Sequence, residues 1–115
     1  MTVISFFREA PLRLLPAWLL LMSLVLFAVM GSDELRYVIP LAKSLREAGV
    51  SVEIYPEAGK LKKQFDYAAK KAIPFISING STEIESGTIN LKNLETGSQQ
   101  AFQAAEMDKV LEFLK

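Results

Sequence analysis

Residues 14–30 read LLPAWLLLMSLVLFAVM, seventeen positions without a charge, and the parsing of this run decides the fold. Taken whole, it is a short membrane span or signal anchor. Seventeen residues lie at the lower edge of what crosses a hydrocarbon core of roughly 30 Å. Arg8 and Arg13 on its N-terminal side fit a cytoplasmic N-terminus. Phe27-Ala28-Val29-Met30 offers no small-x-small cleavage site. Taken in two pieces, Leu12–Leu21 is an amphipathic or buried helix interrupted near Pro16. Leu24–Val29 is then a strand ending at Gly31, apolar throughout because a central parallel strand is covered on both faces. The downstream sequence lacks a first strand unless this segment supplies one, so the two-piece reading is preferred.

Outward from that strand the chain alternates. Ser32 or Asp33 can cap a helix carrying Leu35, Val38, Ile39, Ala42 and Leu45 at helical spacing, with Gly49 as its stop. Pro40 inside it predicts a kink or a loosened first half. Val50, Val52 and Ile54 alternate with polar residues as a strand. A second helix runs from Lys60 to Ala72, burying Leu61, Phe65, Ala68, Ala69 and Ala72 and turning Lys60, Lys63, Gln64, Tyr67 and Lys71 outward. Ile73–Ile78 is a strand closed by Asn79-Gly80, and Ser81–Ser86 is a short turn of helix. Thr88–Leu94 alternates with Ile89 and Leu91 on one face. Glu95-Thr96-Gly97 signals a hairpin returning along Gln99–Gln103. A last helix, Ala105–Lys115, buries Met107, Val110, Leu111 and Leu114. The expected fold is α/β: a three-layer α/β/α sandwich whose mixed, mostly parallel five-stranded sheet has one strand antiparallel.

The chain has 115 residues, half of them hydrophobic, which suits one domain of ordinary size. It has neither Cys nor His. This removes thiol nucleophiles, zinc knuckles, the commonest general base and the commonest metal ligand. No catalytic residue, metal or cofactor is expected. Thirteen basic residues balance thirteen acidic ones, but unevenly. Residues 60–71 hold five Lys against one Asp, while residues 81–115 hold three Lys against six acids. Neutrality overall therefore conceals one anion-binding candidate.

The same block carries a resemblance. Lys60-Leu61-Lys62-Lys63-Gln64-Phe65-Asp66-Tyr67-Ala68 is followed by Ile73-Pro74-Phe75, by Ile78-Asn79-Gly80, and by Gly87-Thr88-Ile89-Asn90-Leu91-Lys92-Asn93-Leu94-Glu95-Thr96-Gly97. In that order they resemble the C-terminal anticodon-binding domain of histidyl-tRNA synthetases, within the class II aminoacyl-tRNA synthetase family. Leu41–Tyr55, with Arg46-Glu47-Ala48-Gly49, resembles its first helix and second strand. The resemblance covers residues 24–115 and leaves 1–23 as an atypical hydrophobic extension. It departs from the family at Ser98, where Glu is usual, and at Pro40.

The resemblance implies a tRNA-binding module of protein biosynthesis, cytoplasmic, with a catalytic synthetase domain or a homo-oligomer as further partner. A synthetase's catalytic domain does not fit within 115 residues, so the chain alone is expected not to aminoacylate. Anticodon loops are read through unpaired bases while nearby phosphates are neutralised. Lys60 and Lys63 are phosphate candidates, Gln64 a base-edge reader, and Tyr67 a stacking ring or hydroxyl donor. Lys62, Lys92, Asn93 and Gln99 complete the set, and the first amides of the helix after Ala58-Gly59 can hold a phosphate. The competing function is a membrane-anchored or accessory interaction protein reusing the same fold.

Overall fold

The computed structural model describes residues 23–114, and the Leu12–Leu21 helix expectation lies outside them. The order is β1 (Val25–Phe27), α1 (Ser32–Glu47), β2 (Val52–Ile54), α2 (Leu61–Lys70), β3 (Phe75–Ser77), α3 (Ser81–Ser86), β4 (Thr88–Asn93), β5 (Gln99–Gln103) and α4 (Met107–Phe113). One five-stranded sheet is ordered β2-β1-β3-β4-β5. β1 pairs in parallel with both β2 and β3; β4 runs antiparallel to β3 and to β5, so β4 alone is reversed.

The described end of the apolar run is thus a strand at the heart of the molecule. Val25, Leu26 and Phe27 are fully buried between two parallel neighbours. Val25 and Phe27 face one core with α1 and α4, and Leu26 faces the other with α2. Coverage of both faces is why the strand needs no polar alternation. It also overturns the reading of residues 14–30 as a single membrane span, because the second half of that run is the sheet's centre. Among the described residues no helix is long and apolar enough to cross a membrane.

The two helical layers follow from handedness. The chain steps from β1 out to β2 through α1, then back past β1 to β3 through α2. Both crossovers stay right-handed only if the helices lie on opposite faces. α1 is continuous across Pro40, whose exposed position leaves the Arg36 carbonyl open to water. Its N-cap is Gly31 rather than Ser32 or Asp33, and no side chain caps it. Val38, Leu41, Ala42 and Leu45 form its buried stripe, whereas Leu35 and Ile39 are exposed. Tyr37 donates to the Thr88 carbonyl at 2.7 Å, and Arg46 to that of Val52 at 3.0 Å, tying α1 to both sides of the sheet. The last helix is shorter than expected, and only Val110 within it is fully buried, with Leu114 buried at its end.

Candidate nucleic-acid interface

α2 begins where the loop after β2 ends. Lys60 is its N-cap in extended conformation, and no side chain caps the first amides. Lys60, Lys62, Lys63, Lys70 and Lys71 are all exposed. Among the described residues none of them makes an ion pair; the pair present is Lys109–Glu106 on α4. The positive block is therefore a net charge, free of ion pairs among the described residues, laid along one layer.

The inward face of α2 is turned about one residue from the expected stripe. Ala69 and Ala72 are exposed, and Gln64 is completely buried with Ala68. The Gln64 carboxamide sits against the chain just past β1. Its Oε1 accepts from the Val29 amide at 2.7 Å, and its Nε2 donates to the carbonyls of Val29 at 2.7 Å and Gly59 at 3.1 Å. Both amide hydrogens and the oxygen are engaged, so Gln64 does not offer a base-reading edge. A buried amide needs such partners, and the buried backbone of Val29 needs Gln64 equally.

Tyr67 is half-buried on one flank of α2. Its hydroxyl donates to Glu53 on β2, which also accepts from Ser23 at 2.7 Å. Its ring meets Tyr55 edge-on at 5.3 Å, and the Lys71 amine lies 5.4 Å from its centroid. Burial raises the Glu53 pKa, but the hydrogen bonds from Tyr67 and Ser23 and the Lys71 charge outweigh it, leaving the carboxyl below its ordinary 4.5. The bond to Glu53 holds the Tyr67 hydroxyl proton above its ordinary value of 10.0, with burial and the Glu53 charge adding to it.

The other flank faces β4. Lys92 places its amine 5.5 Å from the Phe65 ring centroid, and Lys62 stands one turn before Phe65 on the same side. Across the hairpin Lys92 is paired with Gln99, whose Nε2 donates to Asn90 Oδ1 at 3.0 Å. Lys62, Phe65, Lys92, Asn90 and Gln99 thus form one patch on the α2 side of the sheet. Asn93 points to the opposite face; its Oδ1 accepts from the amides of Glu95 and Thr96 and shapes the hairpin turn.

The sequence reading missed two members of this region. Asn90 joins Gln99 on the patch. Asn79, fully buried, donates to Ser77 Oγ at 2.9 Å and accepts from the Asn90 amide at 2.9 Å, while Ser77 donates to the Asn90 carbonyl at 2.7 Å. This cross-link fixes the start of β4 against the end of β3. The Asn79-Gly80 pair signalled a turn but not the burial of its amide.

The family described as the anticodon binding domain matches residues 24–115. The chain belongs to the anticodon binding domain family. Among curated relatives it is similar to the histidine–tRNA ligase of Phocaeicola vulgatus, 45% identical over 83 residues, which cover 72% of this chain and 18% of that protein. The histidine–tRNA ligase of Porphyromonas gingivalis is 40% identical over 93 residues, covering 81% of this chain and 20% of that protein. The chain thus spans about a fifth of the length of these relatives. Among solved structures, the histidyl-tRNA synthetase of Nostoc superposes with a TM-score of 0.75 at 27% identity, covering 82% of this chain and 23% of that one. The likeness to histidine–tRNA ligases is therefore one of sequence as well as of fold.

Proposed function

We propose that this chain binds tRNA at the anticodon loop through its α2 layer, as the anticodon-binding module of a histidyl-tRNA synthetase. One observation carries the reading beyond family membership. Lys60, Lys62 and Lys63 open α2 without ion-pair partners among the described residues, and Lys92 brings a further amine to the same layer. Ammonium groups held at the rim of one scaffold face suit successive phosphates of a tight RNA bend. The Phe65 ring, half-exposed between Lys62 and Lys92, and the Tyr67 ring on the other flank offer stacking surfaces for unpaired bases. Gln99 and Asn90 supply carboxamides for base or ribose edges. Gln64 serves the site indirectly, by fixing the start of α2.

In this reading the module contributes recognition, and adenylate formation and aminoacyl transfer belong to a catalytic synthetase domain. Residues 24–115 form the module, and residues 1–23 are a separate hydrophobic extension. It works in the cytoplasm, where tRNA is charged.

The test is binding of unmodified histidine tRNA transcript by the full chain across a salt series. Each of Lys62→Ala, Lys63→Ala and Lys92→Ala should reduce the steepness of log K against log salt by about 0.7, the single-strand value per neutralised phosphate. An affinity and slope unchanged in all three would refute the assigned face. A transcript with a substituted anticodon should bind more weakly; equal binding would leave only a non-specific polyanion surface.

A further inference from the structure

The sheet ends on one side at β5, and among the described residues no further strand pairs with it. Gln99, Gln100, Ala101 and Gln103 are exposed, and only Phe102 turns into the core, against Phe113. From Ser98 to Ala105 the chain reads SQQAFQAA, with no charge and no proline. Natural sheets guard such edges with Lys, Pro, bulges or very short strands. The opposite edge is guarded in that way: β2 has three residues, carries Glu53 and is followed by Pro56. β5 carries none of these devices.

The hydrogen-bond phase of β5 follows from its flanks. Asn93 N–H donates to the Ser98 carbonyl, and Ala104 N–H to that of Gly87, so Ser98, Gln100, Phe102 and Ala104 face β4. Gln99, Ala101 and Gln103 therefore aim their amides and carbonyls outward. The Gln103 carbonyl is taken by the Glu106 amide. Among the described residues, free on the edge are the amides of all three residues and the carbonyls of Gln99 and Ala101.

We infer that this edge pairs antiparallel with β5 of a second copy of the chain, about a two-fold axis at Ala101, joining two sheets into one of ten strands. The phase permits this register. Ala101 exchanges both of its bonds with its symmetry mate, and Gln103 N–H donates to the partner copy's Gln99 carbonyl in each direction. No charge opposes a like charge anywhere across the seam. Gln99 faces Gln103 of the other copy on the α2 side. With Nε2 engaged by Asn90, the Gln99 Oε1 is free to accept from that second carboxamide. The commitment to a second copy, rather than another extended peptide, rests on this self-complementarity: four bonds form about the axis with no charge in the seam, and only the Gln99 amide at each end is left to water, because the Gln103 carbonyl opposite it is already taken. A seam this short makes a reversible dimer, below the area of an obligate one.

Sedimentation of the full chain over roughly 1 µM to 1 mM tests this. The mass should rise from one chain to two. Ala101→Lys sets two ammonium groups side by side on the axis and should weaken the dimer by about tenfold or more. Ala101→Pro removes an outward amide and no bond to β4, and should act the same way. Circular dichroism melts establish that each variant is folded; should the proline variant not fold, the lysine variant decides. A wild type that stays monomeric at the highest concentration overturns the inference. So does a dimer or larger assembly that Ala101→Lys leaves intact, because the contact then lies elsewhere, as on the leucine-rich residues before Ser23.

Discussion

A single carboxamide separates what the interface does from what holds it in place. Gln64→Leu keeps the side-chain volume but strands the Val29 amide and the Gly59 carbonyl, and leaves the Val29 carbonyl with the Gly59 amide alone at 3.3 Å. Each buried group left without a partner costs about 1 to 3 kcal/mol. The exposed Gly59 carbonyl can rehydrate, so the expected loss is about 2 kcal/mol in urea unfolding. Lys63→Ala, on an exposed site, should change stability by less than about 0.5 kcal/mol while weakening RNA binding. Lys63 was readable from sequence because charge at helical spacing means exposure. Gln64 was not, since a polar residue between two lysines looks solvated until its backbone partners, distant in sequence, are known. Tyr67 yields a second residue-level expectation. Glu53 titrates below its ordinary 4.5, so its contribution is present above pH 4.5 and disappears as pH falls through the lowered value. Tyr67→Phe removes one of the bonds that lower it, so the Glu53 pKa should rise in a carboxyl NMR titration. The stability gap between wild type and variant should accordingly be wider at pH 7 than near pH 3. An unmoved Glu53 pKa would mean the Tyr67 bond does not hold the carboxylate.

Element boundaries show where local signals suffice. The β4–β5 hairpin was legible because Ile89 and Leu91 alternate and a Gly closes the turn; Gly97 adopts φ 81°, open to glycine at little cost. β1 was legible only through the need for a central strand, since its composition fits a buried helix equally. The buried face of α2 lies about one residue from the stripe its alanines suggest, because Ala carries too little area to fix a helix's rotation. Ala72 explains part of that offset. It leaves the helix in the left-handed region at φ 55°, unlike any other non-glycine among the described residues, to turn the chain into β3. An L-residue there costs about 1 to 2 kcal/mol against glycine, offset by the entropy glycine adds to the unfolded chain. Ala72→Gly should therefore raise stability by about 0.5 to 1 kcal/mol, read as a higher urea midpoint at constant slope. A drop in the midpoint would show that the turn is not strained.

At the scale of the whole molecule the sheet divides two electrostatic territories. The α2 layer holds the lysines of residues 60–71 and borrows Lys92 from β4. The opposite layer holds Asp33, Glu34 and Glu47 on α1 and Asp108 and Glu112 on α4, against Arg36, Lys43, Arg46 and Lys109. A polyanion approaching such a body is attracted to the α2 side and hardly at all to the nearly balanced other side, and this orients it before any contact forms. Composition concealed the division, because it cancels to zero over the chain; the charge blocks suggested it, and the sheet's two faces realise it. Charge position, rather than total charge, should then govern RNA binding. Lys62→Glu with Lys63→Glu and Lys43→Glu with Arg36→Glu each remove two positive charges and add two negative ones. All four positions are exposed, so both pairs should remain folded. With histidine tRNA at about 0.1 M salt, where screening acts over roughly 10 Å, the α2 pair should lose at least about a hundredfold in affinity and the α1 pair less than about threefold. Equal losses would mean that net charge alone attracts the RNA, and the α2 layer would have no special claim to it.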